Sequence, residues 1–198
     1  MDSKTNSRNI KQRAAHQKNL KIIIGLGNPD KEYENTYHNV GILFINQILN
    51  IKNQNDKPKF KKMNYFEYLN IDGLVFIKPL TFMNQSGKAT KEAMKYFSNN
   101  KKIEPEEVLV AHDDSDIELG KYKLSFGRSS AGHKGVESII SSLKTKSFWR
   151  LRLGVRAKEK EKIRAKAGEF VLKKITPTDQ KKIKEVFEKI NLPRENIL

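Results

Sequence analysis

Apolar residues follow two different periods along the chain. The short runs KIIIGL (21–26) and VLVAHDD (108–114) are typical of buried strands. Apolar residues that recur every three or four positions, as on one face of a helix, begin at Val40 and again at Val136. Strand and helix signals therefore alternate, which is the pattern of an α/β protein.

Turn and capping signals place the remaining elements. The dipeptide Asp72-Gly73 separates YFEYLNI from GLVFIKP and predicts a β-hairpin. KYKLSFG (121–127) and FWRLRLGVR (148–156) alternate as strands do, and the second half of 81–97 has helical spacing. TPTD (176–179) has the form of a capping box with proline at the first helical position. We therefore predict an α/β fold of one domain, with a mixed, mostly parallel, twisted sheet covered by helices on both faces.

The first 20 residues differ from the rest in composition. They carry five basic residues and one acid, with almost no large apolar side chains, and we expect a disordered basic tail over 1–20. The predicted domain spans 21–198. Within it, RAKEKEKIRAKAG (156–168) predicts a charged, mobile excursion.

The chain has a formal charge of +16, with 39 basic and 23 acidic residues among 198. Such a charge favours anionic partners, nucleic acid or an acidic membrane surface, although a merely lysine-rich surface gives the same count. The sequence has no cysteine, which excludes disulfides, thiol nucleophiles and thiolate metal sites. No apolar run reaches the roughly 18 to 20 residues of a membrane span, so a soluble protein is expected.

Polar groups cluster where three of the predicted strands end. Ligands of open α/β sheets bind beyond the carboxyl ends of the strands. The segments at those ends are 27–29 (GNP), the stretch after Pro79, and 112–114 (HDD). Gly25 and Gly27 are expected to clear space there for a ligand.

Two possible chemistries are disfavoured by the residues themselves. A dinucleotide site would need a third glycine where Asp30 stands, and an acid about 20 residues later that this sequence lacks. A hard divalent cation would need clustered carboxylates, but these residues serve equally well as turn and cap formers. The cluster in question is His112, Asp113, Asp114 and Asp116.

The third chemistry is acid–base catalysis by His38. Imidazole is the usual general base near neutral pH, and a carboxylate on its other nitrogen fixes the tautomer. His38 precedes the helix that begins near Val40, whose N-terminal dipole disfavours the imidazolium form. Asp113, at a neighbouring strand end, is the candidate partner. A histidine that makes only structural hydrogen bonds is the alternative.

Several segments of the chain carry a family resemblance. GLGNPDKEYENTYHNVG, KPLTFMNQSG, VLVAHDDSDIELG and AGHKGVESII resemble, in order and spacing, the signature segments of bacterial-type peptidyl-tRNA hydrolases. FWRLRLGVR and GEFVLKKITPTDQKKI resemble later segments of that family, so the resemblance covers nearly everything from Lys21 onward. It implies a monomeric, cytoplasmic esterase without metal or cofactor, which cleaves the ester between a peptide and the 3′-terminal ribose of tRNA. The implied partner is tRNA, with no membrane.

The resemblance also implies roles for single residues. His38 would be the general base that activates water, Asp113 the carboxylate that orients it, and Asn28 the residue that places the ester. The implied substrate-binding residues are Tyr33, Phe82, Asn84 and Lys134. The implied contacts to tRNA phosphates are Lys121, Lys123 and Arg152.

Three departures from the family pattern stand near the implied site. Lys134 replaces an asparagine, so an amide contact is either replaced by a charge contact to phosphate or lost. The preceding loop is GRSSAG, and Tyr37 replaces an arginine. The resemblance therefore implies weakened but retained hydrolysis. Two other functions stay open: a noncatalytic RNA-binding relative that acts in RNA processing, and an esterase for another acylated nucleotide.

Overall fold

One sheet of seven strands runs through the residues that the computed structural model describes, which are 20–52, 59–98, 101–156 and 167–190. In chain order the strands are β1 (Ile22–Gly25), β2 (Lys61–Lys62), β3 (Phe66–Ile71), β4 (Leu74–Pro79), β5 (Val108–Glu118), β6 (Tyr122–Phe126) and β7 (Trp149–Arg156). Their order across the sheet is β2-β3-β4-β1-β5-β7-β6. The central strands β4, β1, β5 and β7 are parallel, and β2, β3 and β6 pair antiparallel at the edges. The prediction of a mixed sheet is confirmed.

Helices cover both faces of this sheet, as predicted. They are α1 (Val40–Lys52), α2 (Ser86–Phe97), α3 (Lys134–Leu143), α4 (Ala167–Phe170) and α5 (Pro177–Lys189). One apolar core joins α1 and α5 to the sheet, with Phe44 and Phe187 in edge contact. A second core, on the opposite face, joins α2 and α3 to the sheet through residues such as Met94 and Ile139.

The predicted tail and charged excursion fall mostly outside the described residues. Residues 1–19 and 157–166 are not among them. Leu20 is buried in the core of α1 and α5, one residue before the predicted start of the domain. No helix among the described residues has the length and apolar character needed to cross a membrane.

The turn and cap signals fold largely as predicted. Asp72 and Gly73 both have positive φ, 50° and 84°, which suits the two-residue hairpin between β3 and β4. At the start of α5, the Thr176 side chain accepts a hydrogen bond from the Asp179 N–H at 3.2 Å. In a full capping box the Asp179 side chain would accept a hydrogen bond from the Thr176 N–H. Here the Asp179 carboxylate accepts from the Tyr37 hydroxyl instead. Burial and this hydrogen bond raise the pKa of Tyr37 to about 12.

Gly25, the last residue of β1, and Gly27 do not clear space for a ligand, so that prediction is wrong. A Cβ on Gly25 would lie 2.3 Å from the carbonyl oxygen of Gly41, in α1. A Cβ on Gly27 would lie 2.5 Å from the Ile42 side chain. Both glycines therefore let α1 pack directly against the end of β1, which places the turn before α1 beside the strand ends.

Candidate active site

A cavity of about 730 Å³ lies at the carboxyl ends of the parallel strands. Its walls come from the segment after β1, the turn before α1, the segment after β4, the end of β5 and the start of α3. Seven of the residues singled out by sequence line this one cavity: Asn28, Tyr33, His38, Phe82, Asn84, Asp113 and Lys134. The fold thus brings the expected catalytic and substrate-binding residues together.

Asp113 holds two histidines at the base of the cavity. The Asp113 Oδ1 atom is 2.8 Å from Nδ1 of His38 and 2.9 Å from Nε2 of His133. His38 lies in the turn that precedes α1, and His133 immediately precedes α3. The carboxylate on β5 therefore accepts hydrogen bonds from both faces of the sheet.

The tautomer of His133 follows from its capping role. Its Nδ1 atom accepts from the backbone N–H groups of Gly135 and Val136, at 3.1 and 3.3 Å. A nitrogen that accepts carries no proton, so the proton of neutral His133 is on Nε2 and is donated to Asp113. One imidazole thus caps α3 and supports the buried carboxylate.

Asp113 is ionised in this arrangement. Burial alone would raise the pKa of its carboxyl, but the electrostatic attraction and hydrogen bonds of the His133 and His38 rings outweigh burial. The pKa of Asp113 is therefore held well below its ordinary range. In the neutral tautomer of His38, Nδ1 donates to this carboxylate and Nε2 is the nitrogen without a proton. Nε2 has no hydrogen-bond partner among the described residues.

His112 packs behind the two histidines and does not face the cavity. Its Nδ1 donates to the Asp113 backbone carbonyl at 2.7 Å, and its ring meets His133 edge-on, with centroids 4.7 Å apart. Burial, together with the nearby His133, lowers the pKa of His112 well below its usual range. His112 is therefore neutral and has a packing role beside the site.

The side chain of Asn28 is oriented by the backbone around it. Its Oδ1 accepts from the Met83 N–H at 2.8 Å, while its own backbone groups exchange hydrogen bonds with the Asn39 side chain. Because Oδ1 is already engaged, the Nδ2 group is the part of this amide available to the cavity, which Asn28 lines. A fixed N–H donor therefore stands in the same cavity as His38.

Apolar side chains form the rim of the cavity. Phe82 and Leu172 are exposed although large and apolar, and both line it together with the half-buried Tyr33. The segment that carries Leu172 is joined to the turn before α1, because the His38 N–H donates to the Val171 carbonyl at 2.7 Å. The rim thus offers faces for flat or apolar parts of a ligand.

The three basic residues expected to contact phosphate are not among the residues that line the cavity; they lie on β6, β7 and the turn between β5 and β6. Lys123 and Arg152 are directly opposite each other in the β6–β7 pair. Arg152 donates from Nε to Asp114 at 2.6 Å, and Lys121 pairs with Glu118 at 2.7 Å. Lys123 is the member of this group without a salt bridge to a described residue.

The carboxylate cluster considered for a metal does not converge. Asp114 pairs with Arg152, and His112 donates to a backbone carbonyl. Among the described residues, the donor atoms that do meet belong to His38, Asp113 and His133, all within 4.8 Å. A cation bound by all three would take Nε2 of His133 and force its proton onto Nδ1, which would uncap α3. The donor set therefore fits a hydrogen-bonded network better than a metal centre.

Sequence reasoning missed His133 and the Met83 N–H. The signal for His133 was present in AGHKG, a histidine placed just before the apolar stripe of α3, where a cap is expected. The backbone donor of Met83 carries no sequence signal, because it depends on how the turn at Met83–Gln85 meets Asn28.

Comparison with known proteins gives a consistent result. The family model described as peptidyl-tRNA hydrolase matches residues 22–197. Relatives named peptidyl-tRNA hydrolase include that of Lactobacillus gasseri, 37% identical over 170 residues that cover 85% of this chain and 88% of the relative. That of Aquifex aeolicus is 38% identical over 174 residues, covering 86% and 85%.

A solved structure agrees with the sequence comparisons. The crystal structure of peptidyl-tRNA hydrolase from Acinetobacter baumannii superposes with a TM-score of 0.73 and 29% identity, over 86% of this chain and 84% of that one. Sequence and fold thus match the same family along almost the whole described chain. The chain belongs to the bacterial-type peptidyl-tRNA hydrolase family.

Proposed function

We propose that this chain hydrolyses the ester between a peptide and the 3′-terminal ribose of tRNA, with His38 as the general base. The observation that carries the proposal is the geometry of His38: Nδ1 is bound to ionised Asp113 while Nε2 is left unprotonated in a lined cavity. Family membership supports the same substrate class.

The proposed step needs only groups of this chain and water. His38 Nε2 takes a proton from a water molecule as its oxygen forms a bond to the ester carbon. The bond between that carbon and the ribose oxygen then breaks, and His38 returns the proton to the departing oxygen. The products are free tRNA and a peptide carboxylate. Asp113 stabilises the imidazolium that exists between the two transfers.

Asn28 is proposed to stabilise the charge that develops on the ester carbonyl oxygen. Its amide is fixed by the Met83 N–H, so Nδ2 need not reorganise when the negative charge appears. Tyr33, Phe82 and Asn84 are proposed to hold the terminal adenosine and the adjoining peptide. Preorganised donors of this kind make a nucleophilic side chain unnecessary for an activated ester.

Basic residues are proposed to bind the phosphates of tRNA. Lys123 is exposed on β6, opposite the half-buried Arg152 of β7, and Lys121 lies at the adjoining turn. Contacts to phosphate suit a substrate class with a shared shape and variable sequence. We propose a monomeric enzyme of the cytoplasm, where translation supplies this substrate.

Release of tRNA from N-acetyl-aminoacyl-tRNA, in the presence of EDTA, tests the proposal. Unblocked aminoacyl-tRNA is the control. Rapid cleavage of the blocked substrate alone is expected. Cleavage in the presence of EDTA would show that the reaction needs no dissociable metal. Salt-dependent tRNA binding without cleavage would instead support a noncatalytic RNA-binding protein, an alternative that the retained His38, Asp113 and Asn28 do not favour.

A further inference from the structure

Lys134 is a cavity-lining cation that has no salt-bridge partner among the described residues. It is exposed, lines the same cavity as His38, and is the first residue of α3. No carboxylate of a described residue forms a salt bridge with it. A positive charge at a helix N-terminus opposes the helix dipole, so this lysine does not serve to stabilise α3.

The backbone that presents Lys134 is fixed. Ala131 and Gly132 both have positive φ, 50° and 83°, and the His133 N–H donates to the Ser130 carbonyl at 3.0 Å. His133 is bound in turn to Asp113 at 2.9 Å. Lys134 therefore follows directly after the histidine that binds Asp113, and it lines the same cavity.

Other basic residues lie on the neighbouring strands and in the loop before α3. Lys123 lies opposite Arg152, and Arg152 forms a salt bridge with Asp114, which lines the cavity. Arg128 lies in the loop between β6 and α3, close enough to the buried Arg150 to disfavour its charge. Among the described lysines and arginines, Lys134 is the one that lines the cavity.

We propose that Lys134 is a specificity-determining residue that binds the phosphodiester immediately 5′ of the terminal adenosine of the substrate. This inference rests on the proposed function. With the scissile ester at His38, that phosphate is the anionic group of the tRNA nearest to the cavity. An acidic side chain of the peptide is the competing ligand. The phosphodiester is favoured because every tRNA substrate carries it, whereas only some peptides carry an acidic residue.

Two small ester substrates test whether Lys134 binds a phosphodiester of the nucleotide. N-acetyl-alanyl-adenosine has no phosphate, and the same ester of cytidylyl-adenosine has one phosphodiester. In the wild-type protein we expect kcat/KM to be about fivefold higher for the dinucleotide ester, as one exposed charge pair provides. Lys134→Met should remove this preference, because it should lower kcat/KM for the dinucleotide ester more than for the adenosine ester, and Lys134→Arg should retain it.

Lys91→Met is the matched control, because Lys91 is an exposed lysine on α2 outside the cavity and its loss changes the net charge equally. The Lys91→Met variant should prefer the dinucleotide ester to the same degree as the wild type. An equal loss on both esters in Lys134→Met would overturn the proposal and assign Lys134 to the ester itself. An unchanged preference would also overturn it. A Lys134 effect that appears only with an N-acetyl-aspartyl ester would assign the lysine to the peptide instead.

The same assays distinguish failure of the proposed hydrolysis from failure of the Lys134 contact. If wild-type protein cleaves neither these esters nor N-acetyl-aminoacyl-tRNA, hydrolysis itself is wrong. If it cleaves them without a preference that depends on Lys134, only the phosphate contact is wrong.

Discussion

Removing the imidazole of His133 should damage stability and activity through two separable contacts. His133→Ala deletes the cap of α3 and one of the two donors to Asp113. Loss of an N-cap costs about 0.5 to 2 kcal/mol, and loss of a hydrogen bond to a charged group about 1.5 to 3 kcal/mol. We therefore expect the free energy of unfolding to fall by about 2 to 5 kcal/mol, the sum of those two ranges.

Two further substitutions divide this loss between its causes. Serine is a good cap but is too short to replace the bond to Asp113, so His133→Ser should recover about 1 kcal/mol relative to alanine. Asparagine can cap with its oxygen and donate with its nitrogen, so His133→Asn should recover more stability than serine and part of kcat/KM. Urea unfolding at pH 7 and cleavage of N-acetyl-aminoacyl-tRNA measure the two effects.

The outcome that would refute this reasoning is specific. If His133→Ala unfolds within about 0.5 kcal/mol of the wild type, the change resembles an ordinary surface substitution and neither contact stabilises the fold. If serine restores kcat/KM fully, the cap alone matters and the bond to Asp113 does not contribute to catalysis.

Three other changes test the site and the fold around it. His38→Ala should lower kcat by about 10²- to 10⁴-fold with tRNA affinity nearly unchanged in a filter-binding assay, whereas lost affinity would point to binding or folding. Asp113→Asn should unfold more easily than the wild type above pH 4. Because the folded pKa of Asp113 is depressed, its stabilisation is complete above the unfolded value of about 3.9 and is lost as pH falls through the lower folded value. Urea unfolding from pH 7 downward measures this, and a difference that grows on acidification would contradict it. Gly87→Ala should lower stability by about 1 to 3 kcal/mol, because its Cβ would lie 2.1 Å from the Ser138 carbonyl oxygen between α2 and α3. Thermal unfolding beside Gly168→Ala, where a Cβ meets nothing within 4 Å, checks this, and equal melting temperatures would contradict it.

Elements with strong local periodicity could be predicted from sequence. The run before Gly25, the stripe from Val136 and the Asp72-Gly73 turn all carry their structure in neighbouring residues. The strand 148–156 was recognised by alternation, yet β7 is buried on both faces for most of its length because helices cover each side of the sheet. Local pattern cannot report such coverage, which depends on distant segments.

The candidate site could likewise be predicted only in part from the sequence. His38 and Asp113 could be paired in advance, because His38 was expected just before the helix near Val40 and Asp113 at a neighbouring strand end. Their Nδ1 and Oδ1 atoms lie 2.8 Å apart. His133 reaches the same carboxylate from the opposite face of the sheet, which only the packing of α3 determines. Gly25 and Gly27 were assigned to a ligand although they serve helix packing, because a sequence does not say what fills the space beside a glycine.

The placement of Asp113 also makes catalysis a late event in folding. The carboxylate is on the central sheet, while its two donors come from segments that pack on opposite sides of that sheet. With only the layer of α3 in place, Asp113 has no base to orient. With only the layer of α1 in place, Asp113 binds His38 but lacks its second donor. Newly made protein should thus reach full esterase activity only when both layers have docked.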